Sequence, residues 1–279
     1  PTAVSSLIKR SLPKPAWGSA MASFTVVFAA GQTVGPVAAG WLADQFGSLR
    51  GLELNSSAAA NWGDVWEAAA DRITIDITGR GGHGAHPYQT VDVVLVAGHI
   101  ITALQSIVSR NVRALDSAVV SLCAMHAGHP GAMSVIPSHA KLVGTVRTFK
   151  AATQDHIEQR LRELVGNIAA AFGARAHLHY ERVYPATINH DREAMFAADV
   201  AESLVGAENV VRDLPPSMGA EDFSFMLQAK PGAFARLGQG GAEGGCFLHN
   251  STYDFNDAVI PLGAGYLAAL AERAMPLRT

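Results

Sequence analysis

The fold class is decided by RITIDIT at residues 72–78 and by TVDVVLVAGHIITALQSIVSR at residues 90–110. The first stretch alternates apolar and polar side chains and is rich in β-branched residues, which predicts a strand with one buried face. The second stretch carries apolar residues at the i, i+3, i+4 spacing of an amphipathic helix, and Thr90 is its predicted N-cap. A strand followed by a helix that packs on it indicates an α/β protein.

The pattern of strands and helices continues to about residue 184. Further strands are predicted at residues 117–124, 141–149 and 176–183, and a second helix at residues 153–172 with Gly173 as its C-cap. The resulting order, β-α-β-β-α-β, is that of a split βαβ or ferredoxin-like domain. The sequence therefore predicts a complete domain at residues 71–184.

A new pattern begins at residue 185 and contains fewer strands. Helices are predicted at residues 191–205, 221–228 and 260–275, and short strands at residues 209–212 and 233–237. Two short strands would leave unpaired edges, so this segment needs strands from elsewhere to complete a sheet. Residues 185–279 are therefore predicted to be part of an α/β domain.

Composition excludes several classes of protein. The chain has 279 residues, 21 Lys+Arg, 24 Asp+Glu and a formal net charge of -3. Because no basic patch accompanies this balance, nucleic acid is not a predicted partner. A charged fraction of 16% and a mean hydropathy of +0.16 exclude intrinsic disorder. Two cysteines, Cys123 and Cys246, cannot form a disulfide framework, which favours a reducing, cytoplasmic compartment.

The N-terminal part has a different character. Residues 15–43 contain no charged side chain and pass the length of about 18 apolar residues that a transmembrane helix needs, with a buried core helix as the alternative. The next residues, with Asp44 and Arg50, resemble a loop between two helices of major facilitator transporters. That resemblance covers about residues 5–54. It implies a transporter-like apolar helical segment at residues 1–54, a junction at residues 55–70, and membrane association if residues 15–43 insert.

Three short motifs carry residues that could perform chemistry. They are GRGGHGAHP at residues 79–87, SMGAEDF at residues 217–223 and CFLHNSTYDFND at residues 246–257. Taken singly, each has a structural interpretation: a turn with surface histidines, a helix N-terminus whose acidic residues complement the dipole, and a hydrogen-bonded loop histidine. The motifs become informative when they are considered together.

Together with GTVRTF at residues 144–149, these motifs resemble the hippurate hydrolase and N-acyl-amino-acid amidohydrolase branch of the aminoacylase and carboxypeptidase metallopeptidases. The resemblance covers about residues 68–275. It implies a ferredoxin-like lid at residues 71–184 that forms a homodimer, and the C-terminal part of a zinc-peptidase α/β catalytic domain at residues 185–279. The implied activity is metal-dependent hydrolysis of the amide bond of N-acyl amino acids such as hippurate.

The resemblance also implies roles for individual residues. His83 matches a lid histidine that reaches into the partner subunit's site and stabilises the oxyanion, and Ser134 stands where many members have an asparagine near that oxyanion. Arg147 matches an arginine that holds the substrate carboxylate. Tyr88 stands where many members have a second histidine.

The remaining roles belong to the predicted catalytic cleft. Glu221, as a catalytic residue, and Asp222, as a substrate-binding residue, match an acidic pair that lines this cleft, and His249 matches a metal ligand. The family also uses a His/Cys-rich metal motif and a Glu-Glu pair, which this sequence lacks. With His249 as the one matched ligand for zinc, manganese or cobalt, the chain is predicted to be truncated and inactive alone. The alternatives are a non-catalytic dimerisation module and a fragment of a membrane transporter fusion.

Overall fold

The computed structural model describes residues 40–42, 65–239, 253 and 256–275. Its strands are β1 Gly40–Leu42, β2 Val65–Glu67, β3 Ala69–Thr78, β4 Gly82–His83, β5 Ala118–Ala127, β6 Val135–Ile136, β7 His139–Thr148, β8 Arg175–Tyr184, β9 Thr187–Ile188 and β10 Gly238–Gln239. Its helices are α1 Val93–Ser106, α2 Ala151–Ala171, α3 Asp191–Val205, α4 Phe223–Ala229 and α5 Ile260–Ala274. The chain is therefore a mixed α/β protein, as the sequence predicts.

The described residues divide into two compact units. We call the first the four-stranded unit; it comprises Glu67–Thr187 and Pro216–Asp222. The second unit comprises the other described residues. Each unit has its own buried apolar cluster, and each is described by itself.

The four-stranded unit contains an antiparallel sheet with the strand order β5-β7-β3-β8. Its elements follow the order β3-α1-β5-β7-α2-β8, which is the predicted β-α-β-β-α-β order. Alternate residues of β3, namely Ile73, Ile75 and Ile77, are buried in one core with apolar residues of α1 and α2. The intervening residues of β3 lie on the opposite face, because side chains alternate across a strand.

The first helix begins two residues later than predicted. Its N-cap is Asp92, whose carboxylate accepts hydrogen bonds from the backbone N–H groups of Val94 at 2.8 Å and Leu95 at 3.3 Å. The prediction of Thr90 as the cap is wrong, because the Thr90 hydroxyl donates to the Pro87 carbonyl at 2.8 Å and closes the preceding turn.

The same helix is the one described segment with the length and composition of a membrane span. Val93–Asn111, which includes a final π-helical turn, has a mean hydropathy of 1.5. Its apolar side chains Val93, Val96, Ile100 and Leu104 are fully buried in the core of the four-stranded unit. A buried core helix accounts for this hydropathy, so the hydropathy is only weak support for a membrane span.

In the second unit the helices agree with the prediction better than the strands do. Helix α3 has the predicted bounds, and α5 ends one residue earlier than predicted. Helix α4 begins two residues later than predicted, which leaves Glu221 and Asp222 in the preceding turn of the four-stranded unit.

The predicted strands at residues 209–212 and 233–237 are wrong. Within residues 233–237 a side chain holds the backbone of one residue: the Asn189 amide accepts from the Phe234 N–H at 2.7 Å and donates to the Phe234 carbonyl at 3.0 Å. The described strand of this region is β10, which pairs in parallel with β1. Of the predicted apolar helix at residues 15–43, only Gly40–Leu42 are described, and they form a strand.

Candidate functional site

His83 lies in a short two-stranded antiparallel ladder at one end of the four-stranded sheet. Strand β4 pairs with β6, which places His83 opposite Val135. The backbone N–H of Ala85 donates to His83 Nδ1 at 3.1 Å. Because Nδ1 is an acceptor in this bond, the neutral ring carries its proton on Nε2. His83 is exposed and therefore offers an Nε2–H donor to a ligand.

Ser134 lies beside His83. The backbone N–H of Gly84 donates to the Ser134 carbonyl at 2.7 Å. The glycine-rich motif is needed for this close approach, since a Cβ on Gly81 would lie 2.6 Å from the Ile136 carbonyl oxygen. The close pairing of these two distant segments thus holds His83 and Ser134 together.

Arg147 lies at the opposite end of β7, on the sheet face away from the helices. Its strand neighbours are Ala70 in β3 and Val119 in β5. Among the residues that the structure describes, none forms a hydrogen bond or ion pair with the Arg147 side chain. A partly exposed guanidinium without a protein partner can bind a carboxylate through two parallel hydrogen bonds.

Glu221 and Asp222 lie in a turn that is docked on the start of β3. The backbone N–H of Ala68 donates to the Ser217 carbonyl at 3.1 Å, and the Ser217 hydroxyl accepts from the Gly219 N–H at 2.9 Å. These bonds place the turn at the same end of the sheet as Ala70, the strand neighbour of Arg147.

A third carboxylate, that of Glu67 in β2, lies beside this turn and is not predicted from the sequence. Glu67 is only 6% exposed, and a Cβ on Gly219 would lie 3.2 Å from Glu67 Oε1. The only signal in the sequence is an acidic residue within the otherwise apolar run VWEAAA at residues 65–70. Its proximity to Glu221 is a tertiary contact between distant parts of the chain, which no local pattern reveals.

Burial and the two neighbouring carboxylates raise the pKa of Glu221. Burial raises its pKa to about 7, and the hydrogen bond to Asp222 and the negative charge of Glu67 act in the same direction. A carboxyl group with a pKa near neutrality can both accept and release a proton at physiological pH. This shifted pKa makes Glu221 a candidate for proton transfer in the four-stranded unit.

The structure therefore separates the predicted site residues into two groups. His83 and Ser134 lie at one end of β7, whereas Arg147, Glu221 and Asp222 lie at the other. The intervening length of strand, from Thr78 to Ala70 in β3, spans roughly 25 to 30 Å at about 3.3 Å per residue. One chain cannot bring both groups of the four-stranded unit to one small substrate.

The predicted metal ligand cannot be placed, because His249 lies outside the described residues. In the part of the chain that the structure describes, no group of three or more His, Cys, Asp or Glu side chains is arranged to hold a metal ion. Glu67, Glu221 and Asp222 therefore do not form a metal centre by themselves.

Comparison with known proteins defines the class to which this arrangement belongs. Residues 38–273 match the family model described as peptidase family M20/M25/M40. The chain belongs to this family, whose members among its relatives are amidohydrolases and peptidases. The match begins at residue 38, within the predicted transporter-like segment, and the comparisons do not show the transporter resemblance.

Two relatives in this family are similar to most of this chain. The hippurate hydrolase of Campylobacter jejuni is 37% identical over 232 residues, which cover 83% of this chain and 57% of the relative. The N-acetylcysteine deacetylase of Bacillus subtilis is 34% identical over 204 residues, covering 73% of this chain and 52% of that protein. The chain spans about half the length of these relatives.

A solved structure shows the same fold. A dinuclear metal-binding peptidase of the M20 family from Bacillus subtilis matches with a TM-score of 0.59 and 25% sequence identity. The match covers 80% of this chain and 52% of that one. The mixed α/β architecture is therefore that of the family.

Proposed function

We propose that this chain acts in the metal-dependent hydrolysis of the amide bond of N-acyl amino acids, in the cytoplasm. The observation that carries the proposal is the guanidinium of Arg147, which has no partner among the described residues and lies at the same end of the sheet as Glu221, whose raised pKa suits proton transfer. The names of two relatives, a hippurate hydrolase and an N-acetylcysteine deacetylase, support an N-acyl amino acid as substrate.

In this proposal each residue acts on a different atom of the substrate. Arg147 binds the carboxylate of the amino-acid portion, and Asp222 orients that portion in the cleft. The Nε2–H group of His83, with Ser134 beside it, donates to the oxygen of the scissile carbonyl as negative charge develops there. Glu221 exchanges a proton at neutral pH.

A zinc, manganese or cobalt ion would supply an activated water to this family of reactions. We propose His249 as a ligand of such an ion. The described residues do not form a metal centre, and the sequence has no Glu-Glu pair. We therefore expect the 279-residue chain alone to bind N-acyl amino acids without hydrolysing them.

A second copy of the chain resolves the separation between the two groups of site residues. His83 and Ser134 of one chain would complete a site with Arg147 and Glu221 of another, since the two groups lie at opposite ends of β3, roughly 25 to 30 Å apart. A symmetric homodimer of this kind contains two such sites. A dimerisation module without catalysis remains the alternative, because it needs the same sheet but no ligand.

The first prediction concerns Arg147. Arg147→Ala should weaken the binding of N-benzoylglycine about 10- to 100-fold in isothermal titration calorimetry, because a charge-assisted bidentate contact is lost. Arg147→Lys should recover part of the affinity through charge alone.

Arg175→Ala is the matched control, because Arg175 is an exposed arginine on the same sheet at the opposite end from Arg147. It should bind N-benzoylglycine as the unaltered chain does. Equal affinities for Arg147→Ala and Arg175→Ala would refute the proposed role of Arg147. A chain without affinity for any N-acyl amino acid would favour the dimerisation module.

The second prediction concerns the dimer. The chain should scatter light as a dimer at micromolar concentration, and His83→Ala and Arg147→Ala should each bind N-benzoylglycine weakly. After the two variants are mixed and their subunits exchange, about a quarter of the sites should again bind tightly, because each mixed dimer has one site with both residues intact. A monomer, or a mixture that recovers no tight sites, would contradict a site shared between chains.

A further inference from the structure

Large apolar side chains are exposed next to His83. Met133 is 95% exposed and Val135 is 61% exposed, and the two flank Ser134. Val135 lies directly opposite His83 in the β4–β6 pair. Isolated exposed apolar residues are common, but several around one hydrogen-bond donor indicate a binding surface.

Tyr88 extends this surface along a row of aromatic rings. The His86 ring centroid lies 5.7 Å from that of His83 and 5.9 Å from that of Tyr88. Tyr88 is 77% exposed. We call Tyr88, Met133 and Val135 the His83 patch.

The segments that carry the His83 patch contain no formal charge. Residues 81–90 and 128–138 include no Asp, Glu, Lys or Arg. Arg80, the nearest cation in the sequence, uses its Nε to donate to the Gln89 carbonyl at 2.9 Å, within the turn itself. The three side chains of the His83 patch carry no charge themselves, and an uncharged apolar surface favours a neutral apolar group.

The proposed chemistry identifies which part of the substrate would lie there. The carbonyl oxygen that accepts from His83 Nε2 is bonded to the acyl carbon, whose other substituents are the scissile nitrogen and the acyl chain. The nitrogen leads to the carboxylate that Arg147 binds. The acyl chain is therefore the part left next to His83.

We infer that Tyr88, Met133 and Val135 bind the acyl group of the substrate and select apolar acyl groups, such as benzoyl, over acetyl and over charged groups such as succinyl. This inference rests on the proposed function. It adds that the acyl group is apolar. It also assigns the selection of the acyl group to Tyr88, Met133 and Val135, none of which is proposed to donate a hydrogen bond to the oxyanion.

The test compares three ligands by isothermal titration calorimetry on the full chain: N-benzoylglycine, N-acetylglycine and N-succinylglycine. The unaltered chain should bind the benzoyl compound most tightly. Met133→Gln and Val135→Thr keep the side-chain size but add polarity, so each should weaken N-benzoylglycine about 5- to 20-fold and N-acetylglycine less than about twofold. Met195→Gln, an exposed methionine on α3 in the second unit, is the control and should change neither affinity.

The outcomes separate this inference from the proposed function. If Arg147→Ala weakens all three ligands while Met133→Gln and Val135→Thr leave the preference for benzoyl unchanged, the acyl-binding role is wrong and the proposed function stands. If the succinyl compound binds as tightly as the benzoyl compound, the inferred selectivity is wrong. If no ligand binds, or Arg147→Ala changes nothing, both are wrong.

Discussion

Asp71→Ala should lower the free energy of unfolding by about 2 to 4 kcal/mol. Asp71 is only 2% exposed, and its two carboxylate oxygens accept from Gln154 Nε2 at 2.9 and 2.8 Å. The Tyr180 hydroxyl also donates to this carboxylate. Removing the acceptor would leave an amide and a hydroxyl buried without partners, which costs more than the hydrogen bonds themselves are worth.

The same residue should make the stability depend on pH. Burial raises the pKa of Asp71 above its ordinary value of 3.8, although the hydrogen bonds from Tyr180 and Gln154 and the charge of Arg182 oppose the shift and the charge of Glu158 adds to it. The folded state therefore binds the proton more readily than the unfolded state. The stabilisation that comes from this proton binding is complete below the unfolded pKa of Asp71 and is lost as the pH rises through its folded pKa, while the hydrogen bonds to the carboxylate remain.

Urea unfolding at a series of pH values checks both effects. Asp71→Asn keeps the volume and one acceptor oxygen and does not titrate, so it should be more stable than Asp71→Ala and should lack the loss of stability as the pH rises through the folded pKa of Asp71. Asp76→Ala is the control from the same strand, because Asp76 is partly exposed and pairs only with Lys141 and His179 at the surface. A loss as small as that of Asp76→Ala would show that the buried contacts of Asp71 contribute little.

The sequence predicts the strands and helices of the four-stranded unit well, because neighbouring residues along the chain determine each of them. In β3, a β-branched side chain at every second position fixes which face is buried, and Gly173, with a φ of +74°, marks the end of α2. The predicted start of α1 is wrong because Thr90 and Asp92 are both good N-caps, and only the turn at Pro87 decides which one is used. Local patterns therefore fix elements more reliably than their boundaries.

The second unit and the acidic turn depend on contacts between distant residues. The Asn189 amide bonds the backbone of Phe234 within a stretch where the apolar pattern favours a strand, and Glu67 meets the Glu221 turn only in the folded chain. The sequence motifs predict that His83, Ser134, Arg147 and Glu221 act together. They do not predict that one sheet places them in two groups at opposite ends, because strand length becomes a distance only when the register is known.

Gly144→Ala should lower the free energy of unfolding by about 3 kcal/mol or more. Gly144 lies in β7 between Ile73 of β3 and Leu122 of β5. A Cβ there would lie 3.0 Å from the Ser121 carbonyl carbon and 3.1 Å from Leu122 Cα, with the Ser121 oxygen closer still. These are backbone atoms of a paired strand, so the clash cannot be relieved by rotating a side chain.

The close approach at Gly144 has an identifiable cause in the partner strand. The register of β5 shifts between Leu122 and Ala124, which leaves Cys123 as the extra residue of a bulge. Gly144 also lies three residues before Arg147 in the motif GTVRTF, so moving β5 away would disturb the strand that positions the guanidinium. We therefore expect Gly144→Ala to weaken the binding of N-benzoylglycine as well as the fold.

Two other glycines of the same unit provide matched controls. A methyl group added to Gly98 in α1 or to Gly166 in α2 would meet nothing within 4 Å, so alanine at either position should stabilise the chain by about 0.5 to 1 kcal/mol through helix propensity. Urea midpoints measured for all three variants show whether the loss of stability comes from the clash at Gly144 or from replacing any glycine by alanine. If Gly144→Ala unfolds at the same urea concentration as Gly98→Ala, the bulged strand yields readily and the glycine is not required for packing.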